Sequence, residues 1–129
     1  MKLSNQISPT KAQLAELQKY PENTPLVMLN ILKFNSKTTT GETGQEAYMR
    51  YFKNAGPFIK KAAAKLLWKG HVHSIVIGDS ENQPQLVFLV EYPSVENFFT
   101  MISNPEYQEV AKDRSIAIEY GGLIACQST

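Results

Sequence analysis

The chain has 129 residues, 43% of them hydrophobic, a length that fits one domain with its own core and is too short for two. Thirteen lysines and arginines oppose twelve aspartates and glutamates, and no basic run is interleaved with aromatic residues, which argues against nucleic acid and anionic membranes as partners. The single cysteine, Cys126, has no internal partner, and no signal segment or membrane-length apolar run appears, so a cytoplasmic location is expected.

The first predicted element is a short helix inside an N-terminal extension, residues 1–24. Thr10 followed three residues later by Gln13 is typical of a capping box, Leu14 and Leu17 share one side of the helix, and Pro21 ends it. Residues 25–127 are expected to form the core of the single domain, which spans residues 1–129.

A β-strand is predicted from Leu26 to Phe34, and its apolar residues alternate onto both faces. The apolar residues of one face are Val27, Leu29 and Ile31. Those of the other face are Met28, Leu32 and Phe34, with Asn30 as the polar residue among them.

A long helix is predicted over residues 45–65, because aromatic and apolar residues recur there at helical spacing. Gly56-Pro57 lies inside it and predicts a kink or a break, since proline removes a backbone hydrogen bond. A hairpin follows. Its first strand is expected over residues 65–79, KLLWKGHVHSIVIGD, with a bend at Gly70, and its second strand is QLVFLVEY.

Two helices and a strand follow the hairpin. Ser94 is the expected cap of a short helix, and Asn104-Pro105 begins a second helix that runs to about Ile118. Gly121-Gly122 then breaks the helical pattern, and LIACQ is predicted as the last strand. This order predicts an α+β, ferredoxin-like βαββαβ fold: a four-stranded antiparallel sheet with helices on one face, plus the N-terminal helix.

The face of this sheet without helices carries an unexpected pattern. Such a face is normally polar, yet the first strand and QLVFLVEY both carry apolar side chains on two sides. Four or five aliphatic side chains left in water would forfeit roughly 1.5–3 kcal/mol each. The sequence therefore predicts a homodimer in which a second copy covers that face. The alternative is that the N-terminal helix folds over it.

Five segments carry a family resemblance: VMLNILKF, AYMRYFKNAGPFI, LLWKGHVHSIVIG, LVEYPSVENFFTMISNPEYQEVAKDRSIAIE and LIA. Together they resemble the family called domain of unknown function 1330, a branch of the dimeric α+β barrel proteins, over about Thr10 to Ala125. The resemblance implies a ferredoxin-like protomer that dimerises sheet on sheet, and it implies no activity. Wider relatives include cofactor-free monooxygenases, haem-dependent enzymes, isomerases and stress-induced proteins, so the fold alone selects no function.

Two polar residues are candidate ligand contacts. Asn30 lies in a strand otherwise suited to burial, and a buried amide needs a hydrogen-bond partner in the protein or in a ligand. Arg114 shares a helix stripe with Tyr107, so its guanidinium is expected on the core-facing side. There it either pairs with Glu91, Glu119 or a backbone carbonyl, or forms a fork for a substrate carboxylate or enolate.

His71 and His73 would point to one face of a regular strand. No third ligand has suitable spacing, so no metal is predicted. His73 resembles a position that is often histidine in longer members of the family, and it is the candidate acid or base. Lys112-Asp113 departs from the family pattern of histidine before arginine, which weakens any scheme that needs a helix histidine.

Five aromatic residues are expected to wall a small-molecule pocket, with aromatic core packing as the alternative. They are Tyr48, Tyr51, Trp68, Tyr92 and Tyr107. The loop TTTGETG lacks the lysine of a phosphate loop, no dinucleotide motif opens a helix, and no helix histidine is placed to hold haem. No cofactor is predicted.

Two functions follow from this pattern. In the first, a homodimer binds a small carbonyl- or carboxylate-bearing molecule between sheet and helices; if it is an enzyme, the expected reaction is cofactor-free oxygenation or isomerisation. His73 or a tyrosine would then move a proton, and Arg114 with Asn30 would hold an oxyanion. In the second, the same pocket belongs to a non-catalytic ligand-binding or stress-associated dimer. The two differ in whether the pocket holds a working acid or base.

Overall fold

The elements of the chain follow the predicted order. A computed structural model describes residues 6–129, so residues 1–5 of the predicted extension lie outside the described residues. Its helices and strands are α1 (Lys11–Leu17), β1 (Leu26–Phe34), α2 (Gly44–Lys61), β2 (Lys65–His71), β3 (Leu86–Tyr92), α3 (Val95–Ser103), α4 (Pro105–Ala117) and β4 (Ile118–Cys126). Of these helices, none has the length and apolarity of a bilayer-spanning segment.

Capping side chains determine where the helices begin. Thr10 and Thr43 each accept a hydrogen bond from the backbone N–H three residues on, and Gln13 and Glu46 accept one from the backbone N–H of the cap. These reciprocal bonds complete two capping boxes. Asn104 caps α4 by accepting a hydrogen bond from the backbone N–H of Glu106. The predicted capping box of α1 and the predicted start of α4 are confirmed.

The four strands form one antiparallel sheet in the order β2-β3-β1-β4. Helices α2, α3 and α4 pack on one face, and the core lies between that face and the helices. Its best-buried side chains include Leu26, Leu32, Ala47 and Ile118. This is the α+β, ferredoxin-like fold with helices on one face that the sequence predicts.

The predicted length of β2 is wrong, because the strand ends at His71 and residues 72–85 form a loop. A strand continuing to residue 79 would need hairpin partners in the polar run before β3. That run contains Pro84, which has no backbone N–H to donate to a ladder. The last hairpin bond runs from the N–H of Val72 to the carbonyl of Gln85.

Two further local predictions differ from the structure. Of the kink or break predicted at Pro57, the break is wrong: helix α2 continues through the exposed proline, because Ala55 and Phe58 on either side of it pack on the core. Strand β4 begins at Ile118 and includes Gly121-Gly122, because these glycines pair with β1. The glycines therefore lie inside the strand instead of before it.

The outer face, which is the sheet face turned away from the helices, is apolar and open. Its half-buried residues in the two central strands are Val27, Leu29, Val87 and Leu89. Trp68 of β2 lies on the same face and is 56% exposed. The side chains of Leu14 and Leu17 in α1 lie on the helix side of the sheet, so cover of the outer face by the N-terminal helix is wrong.

The loop of residues 72–85 covers one end of the outer face. The Tyr120 hydroxyl donates to the backbone carbonyl of Asn82 at 2.7 Å, and Tyr120 is only 1% exposed. The loop also carries Val76 and Ile77, which are 89% and 95% exposed. Burial on the outer face is therefore confined to the end that this loop reaches.

Gly44, the first residue of α2, lies where three parts of the chain meet. Its N–H donates to the carbonyl of Asn35 at 2.8 Å, and the N–H of Asn35 donates to the carbonyl of Ala117 at 2.9 Å. A Cβ on Gly44 would lie 2.3 Å from both carbonyl oxygens, which are backbone atoms and cannot turn aside. The missing side chain lets α2 approach β1 and α4 closely.

We expect Gly44→Ala to lower the free energy of unfolding by about 3 kcal/mol, the upper part of the range for overpacking. Gly56→Ala is the matched control, since a Cβ there meets nothing within 4 Å and the residue is helical. It should raise stability by about 0.5–1 kcal/mol, the advantage of alanine over glycine inside a helix. Urea unfolding measures both. Equal effects of the two substitutions would contradict the close approach at Gly44.

Candidate functional site

A cavity of about 920 Å³ lies on the helix side of the sheet. Strands β1, β3 and β4 form its floor, which includes Met28, Asn30 and Phe88, and α2, α3 and α4 form its side walls. The remaining wall is the leader segment, defined as residues 6–20, which includes α1. A volume of this size falls in the range of roughly 300–1,000 Å³ that small-molecule sites occupy.

Four tyrosines place phenol groups around this cavity. Tyr48 and Tyr51 come from α2, one helical turn apart and therefore on the same side; Tyr92 ends β3, and Tyr107 comes from α4. All four are buried. The hydroxyls of Tyr51 and Tyr107 lie 2.7 Å apart and share a hydrogen bond, and their rings meet edge to face. The wall of the cavity is thus aromatic with polar tips.

Burial determines the protonation of these phenols. Burial raises the pKa of Tyr48, Tyr51 and Tyr92 above the ordinary value of a tyrosine, since a phenolate is poorly solvated there. The positive charge of Arg114 lowers the pKa of Tyr48 and Tyr51, but it does not outweigh burial. These tyrosines are therefore neutral hydrogen-bond donors near pH 7 and poor bases.

Arg114 brings a positive charge to the cavity wall. Its Nη1 donates to the backbone carbonyl of Ile7 at 2.7 Å, which is one of the structural pairings that the sequence allowed. Among residues 6–129 it forms no ion pair, and its Nε and Nη2 have no hydrogen-bond partner. Because no side-chain polar atom there is both buried and unpartnered, these two nitrogens retain exposed surface, and Arg114 is one of the residues that line the cavity.

Gly121 makes room for this guanidinium. A Cβ at Gly121 would lie 2.7 Å from Nη2 of Arg114 and 2.6 Å from Cδ1 of Ile118. The flat guanidinium therefore rests on the sheet where a residue has no side chain. Sequence reasoning treated Gly121 as a helix breaker and missed this role. The signal available in the sequence was the core-facing position of Arg114 a few residues before the glycine pair.

Asn30 and Arg114 lie on the same side of the sheet. Leu32 of β1 pairs with Gly121, against which Arg114 rests, and Asn30 pairs with Leu123. Asn30 therefore lies two residues, about 7 Å, along β1 from Leu32 and on the same face of the sheet. Its Nδ2 donates to the carbonyl of Met28 at 3.3 Å, and its Oδ1 has no partner within the described residues.

Trp68 and His73 lie away from this cavity. Trp68 pairs with Leu89 on the outer face, because a bulge between Leu66 and Trp68 reverses the alternation of β2. His73 is exposed in the loop after β2. Neither contributes to the wall around Arg114. The other six candidates, Asn30, Tyr48, Tyr51, Tyr92, Tyr107 and Arg114, line one cavity.

No metal-binding cluster of three or more histidine, cysteine, aspartate or glutamate side chains occurs among residues 6–129. Sequence reasoning also missed the leader segment as a cavity wall. Its signal was the apolar side of α1, where Leu14 and Leu17 lie and now face the cavity.

Comparison with known proteins identifies the family of the chain. The model of the family described as Domain of unknown function (DUF1330) matches residues 38–125. The chain belongs to the DUF1330 family. A crystal structure of RPA0582, a protein of unknown function from Rhodopseudomonas palustris, is 33% identical, with 95% of this chain and 96% of that chain covered and a TM-score of 0.89. A search of curated proteins finds no match.

More distant structures share the fold of this DUF1330 chain. SnoaB, a cofactor-independent oxygenase from Streptomyces nogalater, is 10% identical, covers 82% of this chain and 96% of its own, and has a TM-score of 0.52. A dimeric protein of unknown function with a ferredoxin-like fold from Bacteroides fragilis is 8% identical, covers 84% and 100%, and has a TM-score of 0.53. At such identities the likeness shows the fold alone.

The shared hydrogen bond of Tyr51 and Tyr107 gives a stability prediction. Tyr107→Phe leaves the buried Tyr51 hydroxyl without its partner, which should lower the free energy of unfolding by about 1–3 kcal/mol, and Tyr51→Phe should do the same to Tyr107. The double variant should lose clearly less free energy of unfolding than the sum of the two single losses, because it leaves no hydroxyl unpaired. Urea unfolding of the four proteins measures this. Strictly additive losses would contradict the pairing.

Proposed function

We propose that this DUF1330 protein binds a small, largely apolar molecule carrying a carbonyl or carboxylate group in the cavity between sheet and helices. The observation that carries the proposal is the guanidinium of Arg114, which lies in an aromatic cavity with Nε and Nη2 free of partners among residues 6–129. A guanidinium offers parallel donors that match two carboxylate oxygens. Asn30 adds an amide farther along the floor, and the phenols add neutral donors.

Ligand binding without catalysis is the function that these groups support best. The candidate base His73 lies outside the cavity, and the raised pKa values of Tyr48 and Tyr51 keep these phenols protonated, so neither supplies a phenolate as a base near pH 7. A cofactor-free isomerase or oxygenase is the second candidate. It is favoured by the convergence of Arg114 with neutral phenols, which is a suitable setting for an enolate oxygen. A tyrosine would then supply the proton, and SnoaB offers an example of oxygenation on this fold.

The ligand proposal is tested with 4-phenylbutyrate and its uncharged counterpart 4-phenyl-1-butanol. The carboxylate should raise the melting temperature of the wild-type protein more than the alcohol does. Arg114→Met should weaken carboxylate binding about 10- to 100-fold, since a hydrogen bond to a charged group contributes about 1.5–3 kcal/mol and 1.4 kcal/mol is tenfold. Asn30→Ala should have a smaller effect.

The matched control for this experiment is Arg50→Met. Arg50 is an exposed arginine of α2 that pairs with Glu42 and Asp113 outside the cavity, so its loss should leave the carboxylate shift unchanged. Calorimetric titration gives the affinities. Equal binding to wild type and Arg114→Met would move the site elsewhere and remove the proposed role of the guanidinium.

The outer face supports a second part of the proposal, a homodimer joined through the sheets. Val27, Leu29, Val87 and Leu89 are only half-buried, and each would gain by leaving water, up to roughly 1.5–3 kcal/mol for full burial. The dimeric relative from Bacteroides fragilis has the same fold. A cytoplasmic location for this dimer is in keeping with the free, exposed Cys126.

Leu89→Arg should convert the dimer to a monomer, because it places a charge at the centre of the outer face. The matched control is Met49→Arg, since Met49 is 66% exposed on α2 and lies away from that face. Sedimentation velocity at micromolar concentration should show a dimer for wild type and Met49→Arg and a monomer for Leu89→Arg. A monomeric wild-type protein would contradict the dimer.

A further inference from the structure

The leader segment contributes a whole wall of the cavity, although little holds it. Helix α1 has seven residues and none of them is buried. No other described helix or strand packs closely along it. The side chains of Ile7, Leu17 and Tyr20 touch the core while remaining partly exposed. Segments with few buried contacts open at low free-energy cost.

Among residues 6–129, three hydrogen bonds join the leader segment to the rest of the chain: a local one from the Tyr20 hydroxyl to the carbonyl of Pro25, and two that reach β4 and α4. Of these two, one runs from the N–H of Gly121 to the carbonyl of Gln6 at 3.3 Å. The other runs from Nη1 of Arg114 to the carbonyl of Ile7 at 2.7 Å. The second is shorter and charge-assisted, and such bonds are roughly twice as strong as neutral ones. Arg114 is therefore the main polar tie of the leader segment.

We propose that the leader segment is a lid over the cavity, and that Arg114 both holds the lid closed and receives the ligand. The guanidinium has two usable edges. Nη1 is engaged by the carbonyl of Ile7, whereas Nε and Nη2 form an edge without partners among residues 6–129. A carboxylate on that free edge leaves the Ile7 bond intact. The ligand part of this inference rests on the proposed function.

Closing over a ligand strengthens the lid for two physical reasons. A ligand on the free edge restrains the guanidinium, which then offers Nη1 to Ile7 in a fixed position. Leu14 and Leu17 of the lid also face the cavity, where the apolar part of a ligand would contact them. By linkage, a ligand that binds the closed form more tightly must make closure more favourable.

Hydrogen exchange of the full-length protein, followed by mass spectrometry, tests the lid. Backbone amides of α1, such as those of Leu14 and Gln18, are protected by hydrogen bonds within the leader segment. Without any ligand, Arg114→Met should speed exchange in peptides of residues 6–20 at least fivefold, while Arg50→Met leaves it unchanged. Peptides of β1 and β3 should exchange as in wild type in both variants.

Gly121→Ala is the second variant and keeps the charge of Arg114. Its Cβ would displace the guanidinium, so it should also speed exchange of residues 6–20. If Arg114→Met loosens the whole domain, this variant still tests the lid, because it disturbs both the guanidinium and the Gly121 N–H that donates to Gln6 while it keeps the charge. Wild-type exchange of residues 6–20 in both Arg114→Met and Gly121→Ala would overturn the lid.

The ligand arm uses 4-phenylbutyrate at saturation, with 4-phenyl-1-butanol as the uncharged control. The carboxylate should slow exchange of residues 6–20 at least threefold in wild type. If the carboxylate binds by calorimetry but leaves this exchange unchanged, closure over the ligand is wrong while the proposed function stands. If it does not bind, the proposed function fails for this probe, and the variants without ligand still decide whether Arg114 holds the lid.

Discussion

The alternation of side chains in β1 and β3 is the constraint on which the rest of the molecule depends. Each strand sends apolar side chains to both faces, and the helices cover one face only. The covered face becomes the core and the floor of the cavity. The outer face keeps leucines and valines at its surface. A single strand pattern thus produces both the floor of the cavity and the apolar outer face.

The cavity depends on the same geometry, because its polar groups enter through positions where the apolar pattern is interrupted. Asn30 replaces an apolar residue on the covered face of β1, and Gly121 removes a side chain from the same face of β4. Arg114 fills the space left over Gly121. Asn30 therefore lies two residues along β1 from Leu32, the pairing partner of Gly121, on the same face of the sheet.

Much of the fold and of the cavity lining could be predicted from the sequence, and the predictions that were wrong have specific physical causes. Capping residues predicted the starts of α1, α3 and α4, and apolar alternation predicted the central strands. The facing of Trp68 was not readable, because a bulge at Leu67 inverts the alternation, and bulges carry little sequence signal. His73 was expected in β2, but the strand ends at His71. The segment that would have to pair with a longer β2 is polar and contains Pro84, which cannot donate a backbone hydrogen bond. Tertiary contacts such as Arg114 with Ile7 join residues 107 positions apart, beyond any local pattern.

The structural and functional interpretations of Arg114 are compatible, because its two edges serve different partners. A backbone carbonyl satisfies only Nη1, and a carbonyl brings no full negative charge to balance the guanidinium. An arginine held only for structure would be expected to use more of its donors or to meet a carboxylate, as Arg50 does with Glu42 and Asp113. The contrast between these two arginines is the chemical reason to place an anionic ligand at Arg114. It also explains why a short, poorly buried leader segment lies over this part of the domain, where its main polar tie is the same guanidinium that the ligand would bind.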